Sequence, residues 1–191
     1  MKKRFSRVTQ ACAAAALAAL TLLGASAPVL PANAETLPKL AVLDTQLIDY
    51  VVTGTGEPMS TPEDVARIKL VSDILRERMA ESGMFEVLPK LPETGEWKDA
   101  VDLTCPFCIL DIAKGQGADF VMTSAVIRTS TIIVYLRAEL DNVATAKAVT
   151  VGDVMFKNFD NEDQVRGAAD YWMKVHGDEL KEAMERGTGI E

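Results

Sequence analysis

The hydrophobic pattern along this chain changes its period near Gly117. Before that glycine, apolar residues recur three or four positions apart, which places them on one face of a helix. After it, apolar and polar residues alternate, as they do in a half-buried strand. The change predicts a first half that mixes helices with short strands and a second half that is mainly sheet.

The first long helix is predicted to start at Thr61, a hydroxyl N-cap followed by Pro62 and two acids. Proline suits the first helical position, and acids there interact well with the positive end of the helix dipole. Gly83 is expected to end the helix. The predicted apolar face consists of Val65, Ile68, Val71, Leu75 and Met79.

The remaining elements complete an order of strand, helix, strand, helix, three strands and helix. The predicted strands are 39–44, 85–88, 120–127, 132–141 and 147–156, the second helix is 105–114, and the last helix has an apolar stripe over 165–180. This order predicts a single α/β (α+β) domain, in which a mixed sheet of about five strands is packed by three helices.

The amino terminus has the parts of a secretory signal peptide. Four basic residues within the first seven positions precede an apolar run over 11–23, and an Ala-x-Ala motif ends at Ala34, before Glu35. Spanning a bilayer takes about 20 apolar residues, so the run predicts a cleaved signal rather than an anchor. We therefore expect removal of 1–34, a periplasmic domain at 35–191, and no stable membrane insertion after cleavage.

Cleavage also makes the chain more acidic. The net charge of the full sequence is −8, and the signal carries four basic residues and no acidic one, so the expected charge of the exported chain is −12. Such a surface repels polyanions, which argues against nucleic acid and anionic membranes as partners.

Cys105-Pro-Phe-Cys108 carries the most recognisable chemistry of the exported chain. Haem attachment requires a histidine directly after the second cysteine, where this chain has Ile109. A structural zinc site needs four ligands, and the exported chain offers only these two cysteines and His176. A carboxylate or a second subunit would have to complete such a site, and we predict no metal and no cofactor.

Two interpretations of the pair remain open. A proline inside the pair and a helix start at Cys105 suit a thiol–disulfide centre, because a helix dipole lowers the pKa of a cysteine at its amino end. However, all eight prolines lie at or before Pro106, so the later cis-proline of a thioredoxin fold is missing. A structural disulfide is the favoured hypothesis, in an oxidising compartment; redox activity of Cys105 and Cys108 is the alternative.

Groups for other catalysis are few. His176 is the single histidine and is expected to lie at the surface of the last helix. Asp44, Asp111 and Asp119 fall at predicted strand and helix ends, where carboxylates usually act as caps rather than as acids. The sequence therefore favours a protein without catalytic residues.

Several short motifs resemble an exported Gram-negative family of unknown function, often encoded near quinoprotein dehydrogenases. The resemblance covers about 39–175 and rests on Ala41-Val-Leu-Asp44, Asp73-Ile-Leu-Arg76, Ser82-Gly-Met-Phe-Glu-Val87, Cys105-Pro-Phe-Cys108 and Gly117-Ala-Asp119. The strand order is also similar to the amino-terminal domain of the Tol-system propeller protein and to the curli secretion subunit.

The resemblance implies a binding or assembly module of the cell envelope. We expect a non-enzymatic accessory protein that acts through an envelope protein partner. A more specific hypothesis is that this partner belongs to a periplasmic quinoprotein dehydrogenase system. The predicted contact surface joins a glycine-containing loop to the cysteine pair. Its residues are Tyr50, Gly54, Gly56 and Phe107.

Overall fold

The computed structural model describes residues 36–90, 105–157 and 159–185 and contains three helices and six strands in that part of the chain. In chain order they are β1 (Lys39–Val42), β2 (Gln46–Asp49), α1 (Pro62–Glu81), β3 (Glu86–Val87), α2 (Pro106–Gly115), β4 (Phe120–Arg128), β5 (Val134–Asn142), β6 (Lys147–Phe156) and α3 (Glu162–Glu185). The predicted mixed α/β fold with three helices is confirmed, and β2 is a strand that the pattern did not predict.

The sheet is half parallel and half antiparallel. Its order is β3-β1-β4-β5-β6, with β1 and β3 parallel to their neighbours and β4, β5 and β6 forming an antiparallel meander. β2 runs parallel to β4 and pairs with 125–128, beyond the 120–122 stretch that pairs with β1. β1 and β2 therefore act as one interrupted strand along a single edge of β4.

Two parallel crossovers place the helices on opposite faces of this sheet. The chain goes from β1 through α1 to β3 on one side, and then back through α2 to β4 on the other side of β1. Because such connections are right-handed, opposite directions of travel put α1 and α2 on opposite faces. After β6, α3 returns to the face of α1 and packs on both α1 and β6.

Each face therefore has its own apolar core. The larger core lies between the sheet and the pair α1 and α3, and Trp172, Phe159 and Met122 are fully buried in it. The smaller core lies under α2, where Ile112 and Val121 are fully buried.

The predicted start of α1 is confirmed in detail. The Thr61 hydroxyl accepts a hydrogen bond from the Asp64 N–H at 3.2 Å, and the Asp64 carboxylate accepts one from the Thr61 N–H at 3.0 Å. This reciprocal capping box satisfies two backbone donors at the helix start. One position of the predicted apolar face is wrong, since Val65 is 46% exposed while the other four are buried.

The predicted signal peptide 1–34 and its cleavage site at Ala34 and Glu35 lie outside the described residues. Among the helices that the structure describes, none is both long and apolar enough to cross a membrane.

Candidate functional site

The cysteine pair closes a disulfide at the amino end of α2. Cys105 is the N-cap residue and Pro106 occupies the first helical position, while Cys108 lies in the first turn. The two Cα atoms are 5.3 Å apart, and both residues are half-buried. The bridge links the N-cap residue to the first turn of α2 and so restrains the entry of the chain into that helix. A closed disulfide is compatible with both the structural and the redox interpretation.

Phe107 is the most exposed large apolar residue of the described chain. Its side chain is 77% exposed, although it stands in the short ring that the disulfide closes. An aromatic ring on a rigid backbone loses little conformational freedom when it binds, which is why such residues often anchor interfaces.

The loop that follows β2 is a small hairpin closed by its own backbone. The Thr53 N–H donates to the Glu57 carbonyl at 2.7 Å, and the Gly56 N–H donates to the Thr53 carbonyl at 2.9 Å. Gly54 and Gly56 both have open space around them, and Gly56 has φ +86°, a left-handed conformation that favours glycine. Backbone hydrogen bonds within the loop therefore define its conformation.

Tyr50 joins this hairpin to the sheet. Its N–H donates to the Arg128 carbonyl at the end of β4 at 2.9 Å, and its side chain is 69% exposed. Its phenol ring is therefore held at the carboxyl end of β4 and presented to solvent.

A cluster of charged side chains braces the base of the loop. The Arg128 guanidinium lies 3.1 Å from the Asp49 carboxylate and 3.4 Å from Asp64, and 4.4 Å from the centroid of the Phe159 ring. Burial opposes ionisation of Asp64, but the backbone N–H of Thr61 and the Arg128 charge outweigh it and lower the pKa of Asp64. The cluster ties β2, β4 and α1 to the residues just before α3.

A cavity lies between β2 and the amino end of α2. It has a volume of about 410 Å³ and runs from the amino end of α2 over the uncovered side of β4 and β5. Its apolar walls are Ile48, Pro106, Ile109, Leu110 and Ile127. We call this cavity the groove.

The groove is lined by chain neighbours of two predicted contact residues, Tyr50 and Phe107. Ile48, two residues before Tyr50, and Pro106, next to Phe107, line the same cavity. Tyr50 and Phe107 themselves are not among the residues that line it.

Three charged side chains of β5 also face the groove, namely Arg137, Glu139 and Asp141. Burial raises the pKa of Asp141 to about 6, and the neighbouring Glu139 carboxylate adds to the rise. The sequence analysis missed these residues as a site. The signal that would have found them is their i, i+2, i+4 spacing, which places all three on one face of the strand.

The other candidate residues are not gathered into a site. The Asp119 carboxylate accepts a hydrogen bond from the Lys39 N–H at 2.8 Å, Asp44 pairs with Lys90 at 3.0 Å, and Asp111 is exposed on α2.

The expected surface position of His176 is wrong. Its side chain is only 15% exposed and its Nε2 atom is buried without a hydrogen-bond partner in the described structure. The ring packs 5.2 Å from Trp172, between centroids, and against Gly152. His176 therefore belongs to the interface between α3 and β6.

Comparison with protein families gives one match of wide coverage. The model of the DUF3280 family, whose description reads protein of unknown function (DUF2380), matches residues 38–176. This match confirms the predicted resemblance, over about 39–175, to a family of unknown function. The link to quinoprotein dehydrogenases and the cysteine pair as a family feature stay predictions. No curated protein matches the chain.

Solved structures give distant likenesses. PelC from Paraburkholderia phytofirmans, solved as a dodecamer, is 16% identical with a TM-score of 0.48, over 75% of this chain and 87% of that one. The LpoB C-terminal domain from Salmonella enterica is 15% identical with a TM-score of 0.43, over 66% and 87%. TolB from Acinetobacter baumannii is 13% identical with a TM-score of 0.42, over 78% and 29%. With TM-scores below 0.5, these likenesses carry no argument about the activity of this chain.

Proposed function

This chain belongs to the DUF3280 family, described as proteins of unknown function, and from that premise we propose that it is a non-enzymatic accessory module that acts through a protein partner in the periplasm. The observation that carries the proposal is Phe107, a large aromatic side chain that is 77% exposed on a backbone braced by a disulfide. A large aromatic side chain on a rigid backbone is the kind of residue that anchors protein interfaces, because little conformational freedom is lost when it binds.

Two further features support this proposal. Tyr50 is a second exposed aromatic residue on a hydrogen-bonded backbone, two residues after Ile48, which lines the groove. The signal-like amino terminus and the bridged cysteines both fit an oxidising compartment outside the cytoplasm. The family resemblance points to a periplasmic quinoprotein dehydrogenase system as the first place to seek the partner.

Affinity capture from periplasm with matched variants tests this function. We expect the wild-type protein to retain a discrete partner that Phe107→Ala loses by at least tenfold, since aromatic anchors contribute about 2 kcal/mol or more to binding. Tyr171→Ala is the control, because Tyr171 is 51% exposed on α3 and is not part of the predicted surface. Equal capture by both variants would contradict the proposed surface, and no specific partner in any variant would contradict the function.

A thiol–disulfide redox protein is the second candidate. Its supporting observation is the place of the bridge, with Cys105 at the N-cap of a ten-residue helix and both cysteines half-buried rather than fully buried. The amino end of a helix stabilises a thiolate, which makes a bridge there easier to reduce.

The reduction potential of the Cys105–Cys108 bridge separates the two candidates. A structural bridge is expected below about −300 mV, whereas periplasmic and endoplasmic oxidants lie near −120 to −180 mV. We expect the lower range. Replacement of both cysteines by serine should then cost on the order of 2 kcal/mol of folding stability, since the closed loop is short, and leave the protein folded.

A further inference from the structure

One half of the sheet face that carries α2 is left uncovered by the described elements. α2 is ten residues long and packs over β1 and the first part of β4, whereas β5 and β6 continue beyond it. Side chains that are directly opposite on neighbouring antiparallel strands share a face. Because Glu139 pairs with Val151 and Tyr135 pairs with Met155, the uncovered face extends from the groove across β5 to β6.

Exposed apolar side chains lie on the uncovered face beyond the groove as well as in it, among its charged residues. Val151 is 39% exposed and Met155 is 62% exposed on β6, and Phe107 lies next to Pro106 at the other border. Apolar surface on both sides of a cavity favours an occupant longer than the cavity itself, which is a chain segment rather than a single small molecule.

The charges in the groove are unbalanced. Arg137 lies 3.9 Å from Asp153 on β6, and neither Glu139 nor Asp141 forms an ion pair or hydrogen bond within the described residues. The two carboxylates are on the same face of one strand and repel each other, and Asp141 is also partly withdrawn from water. A cationic group placed between them would relieve both costs.

We propose that the groove binds a segment of the partner protein in which a lysine or arginine is flanked by apolar side chains. The basic group would lie against Glu139 and Asp141, and the apolar neighbours would cover the walls at Ile48 and Leu110. The net charge of −8 for the full sequence favours the same kind of partner at longer range. This inference rests on the proposed function and names the chemistry of the partner.

Binding should depend on pH through Asp141. Among the described residues, Glu139 is the charge that acts on Asp141, Arg137 lines the same groove and pairs with Asp153 on β6, and β4 and α2 contribute only uncharged side chains to the groove. With the pKa of Asp141 raised to about 6, its carboxylate is ionised at pH 7.5 and mostly protonated at pH 5. A lysine keeps its charge over that range, so its attraction to the groove falls as the pH is lowered.

Synthetic peptides provide the probe. We expect acetyl-Leu-Lys-Leu-Lys-Leu-amide to bind the purified exported protein, with chemical-shift changes at β4 and β5, and the matching glutamate peptide to bind at least tenfold more weakly. The double variant Glu139→Gln/Asp141→Asn should lose about tenfold in affinity for the lysine peptide, which corresponds to roughly 1.4 kcal/mol, and should lose the pH dependence. Glu162→Gln/Asp163→Asn is the control, because it makes the same two changes on α3 and should leave binding unchanged.

Several results would overturn the inference. They are equal binding of the lysine and glutamate peptides, full binding by the groove variant, tight binding of butylamine alone, and self-association of the chain that the groove variant abolishes. If partner capture is lost with Phe107→Ala but retained with Glu139→Gln/Asp141→Asn, the groove inference fails and the proposed function stands. If no partner is captured at all while the peptide results hold, the proposed function fails instead.

Discussion

Gly152 shows how a single residue sets the contact between α3 and β6. A Cβ atom at this position would lie 2.6 Å from three atoms of the His176 ring, and the Gly152 carbonyl accepts a hydrogen bond from the Trp172 indole N–H at 2.8 Å. Directly opposite on β5 stands Ala138, which is fully buried. Two small residues side by side thus make room for the two rings.

Replacing Gly152 by alanine should therefore destabilise the protein by about 2 kcal/mol, because the buried ring has to shift. Gly167→Ala is the matched control: the same change inside α3 meets open space, and alanine should stabilise a helix interior by about 0.8 kcal/mol. Chemical denaturation of both variants measures the difference. Equal effects of the two substitutions would contradict the close approach.

Asp141 is the residue whose titration should be visible in folding stability. Its folded pKa of about 6 lies above the ordinary value of 3.8, so the ionised carboxylate disfavours the folded state above that pH. Asp141→Asn should raise the free energy of unfolding by about 1 kcal/mol at pH 8, after allowance for solvent screening, and the gain should shrink as the pH falls below 6. Urea titrations at pH 8 and pH 4.5 check this, and a gain that grows at low pH would contradict it.

At the scale of elements, β2 depends on one extra residue in the edge strand. Val42 pairs with Met122, and Gln46 pairs with Ala125. Between these two pairs the chain advances four residues from β1 to β2 but only three residues along β4. Because side chains alternate between the two faces of a strand, the extra residue exchanges the faces of odd-numbered and even-numbered positions between β1 and β2. As a result Leu47 packs into the larger core and Ile48 lines the groove.

This irregularity explains what sequence reasoning found and missed among the elements. β4, β5 and β6 keep an unbroken period of two over most of their length, and α1 has a complete capping box, so all four were predicted close to their observed bounds. β2 is four residues long and follows a break in register, which removes the periodic signal. Helical periodicity also does not predict that Val65, in the first turn of α1, is exposed, because its burial depends on which neighbouring elements cover that turn.

The Arg128 cluster holds β2 in place. Asp49 has a side chain only 3% exposed, and its partner is Arg128 at 3.1 Å. Arg128→Met would leave that carboxylate buried without a counter-charge, and we expect a loss of about 3 kcal/mol in folding stability. Adding Asp49→Asn to this variant should restore part of the loss. A double variant that is less stable than the single one would contradict the pairing.

At the scale of the molecule, the topology decides which surface is free. The order of strands and helices predicted the mixed sheet and the three helices, and opposite crossovers then place α1 and α2 on different faces. The groove was not predictable in the same way, because it depends on how far a ten-residue helix reaches across the sheet. The turn signal and the cysteine motif did lead to two exposed aromatic residues, Tyr50 and Phe107, and their neighbours Ile48 and Pro106 line the groove.

Photo-crosslinking in the periplasm of living cells tests the central claim most directly. A photoreactive phenylalanine derivative at position 107 should give one discrete adduct of higher mass, because the ring braced by the disulfide lies at the partner interface. The same group at position 171, on α3, should give none. No adduct at position 107, or the same adduct from both positions, would contradict the account of this protein as a docking module.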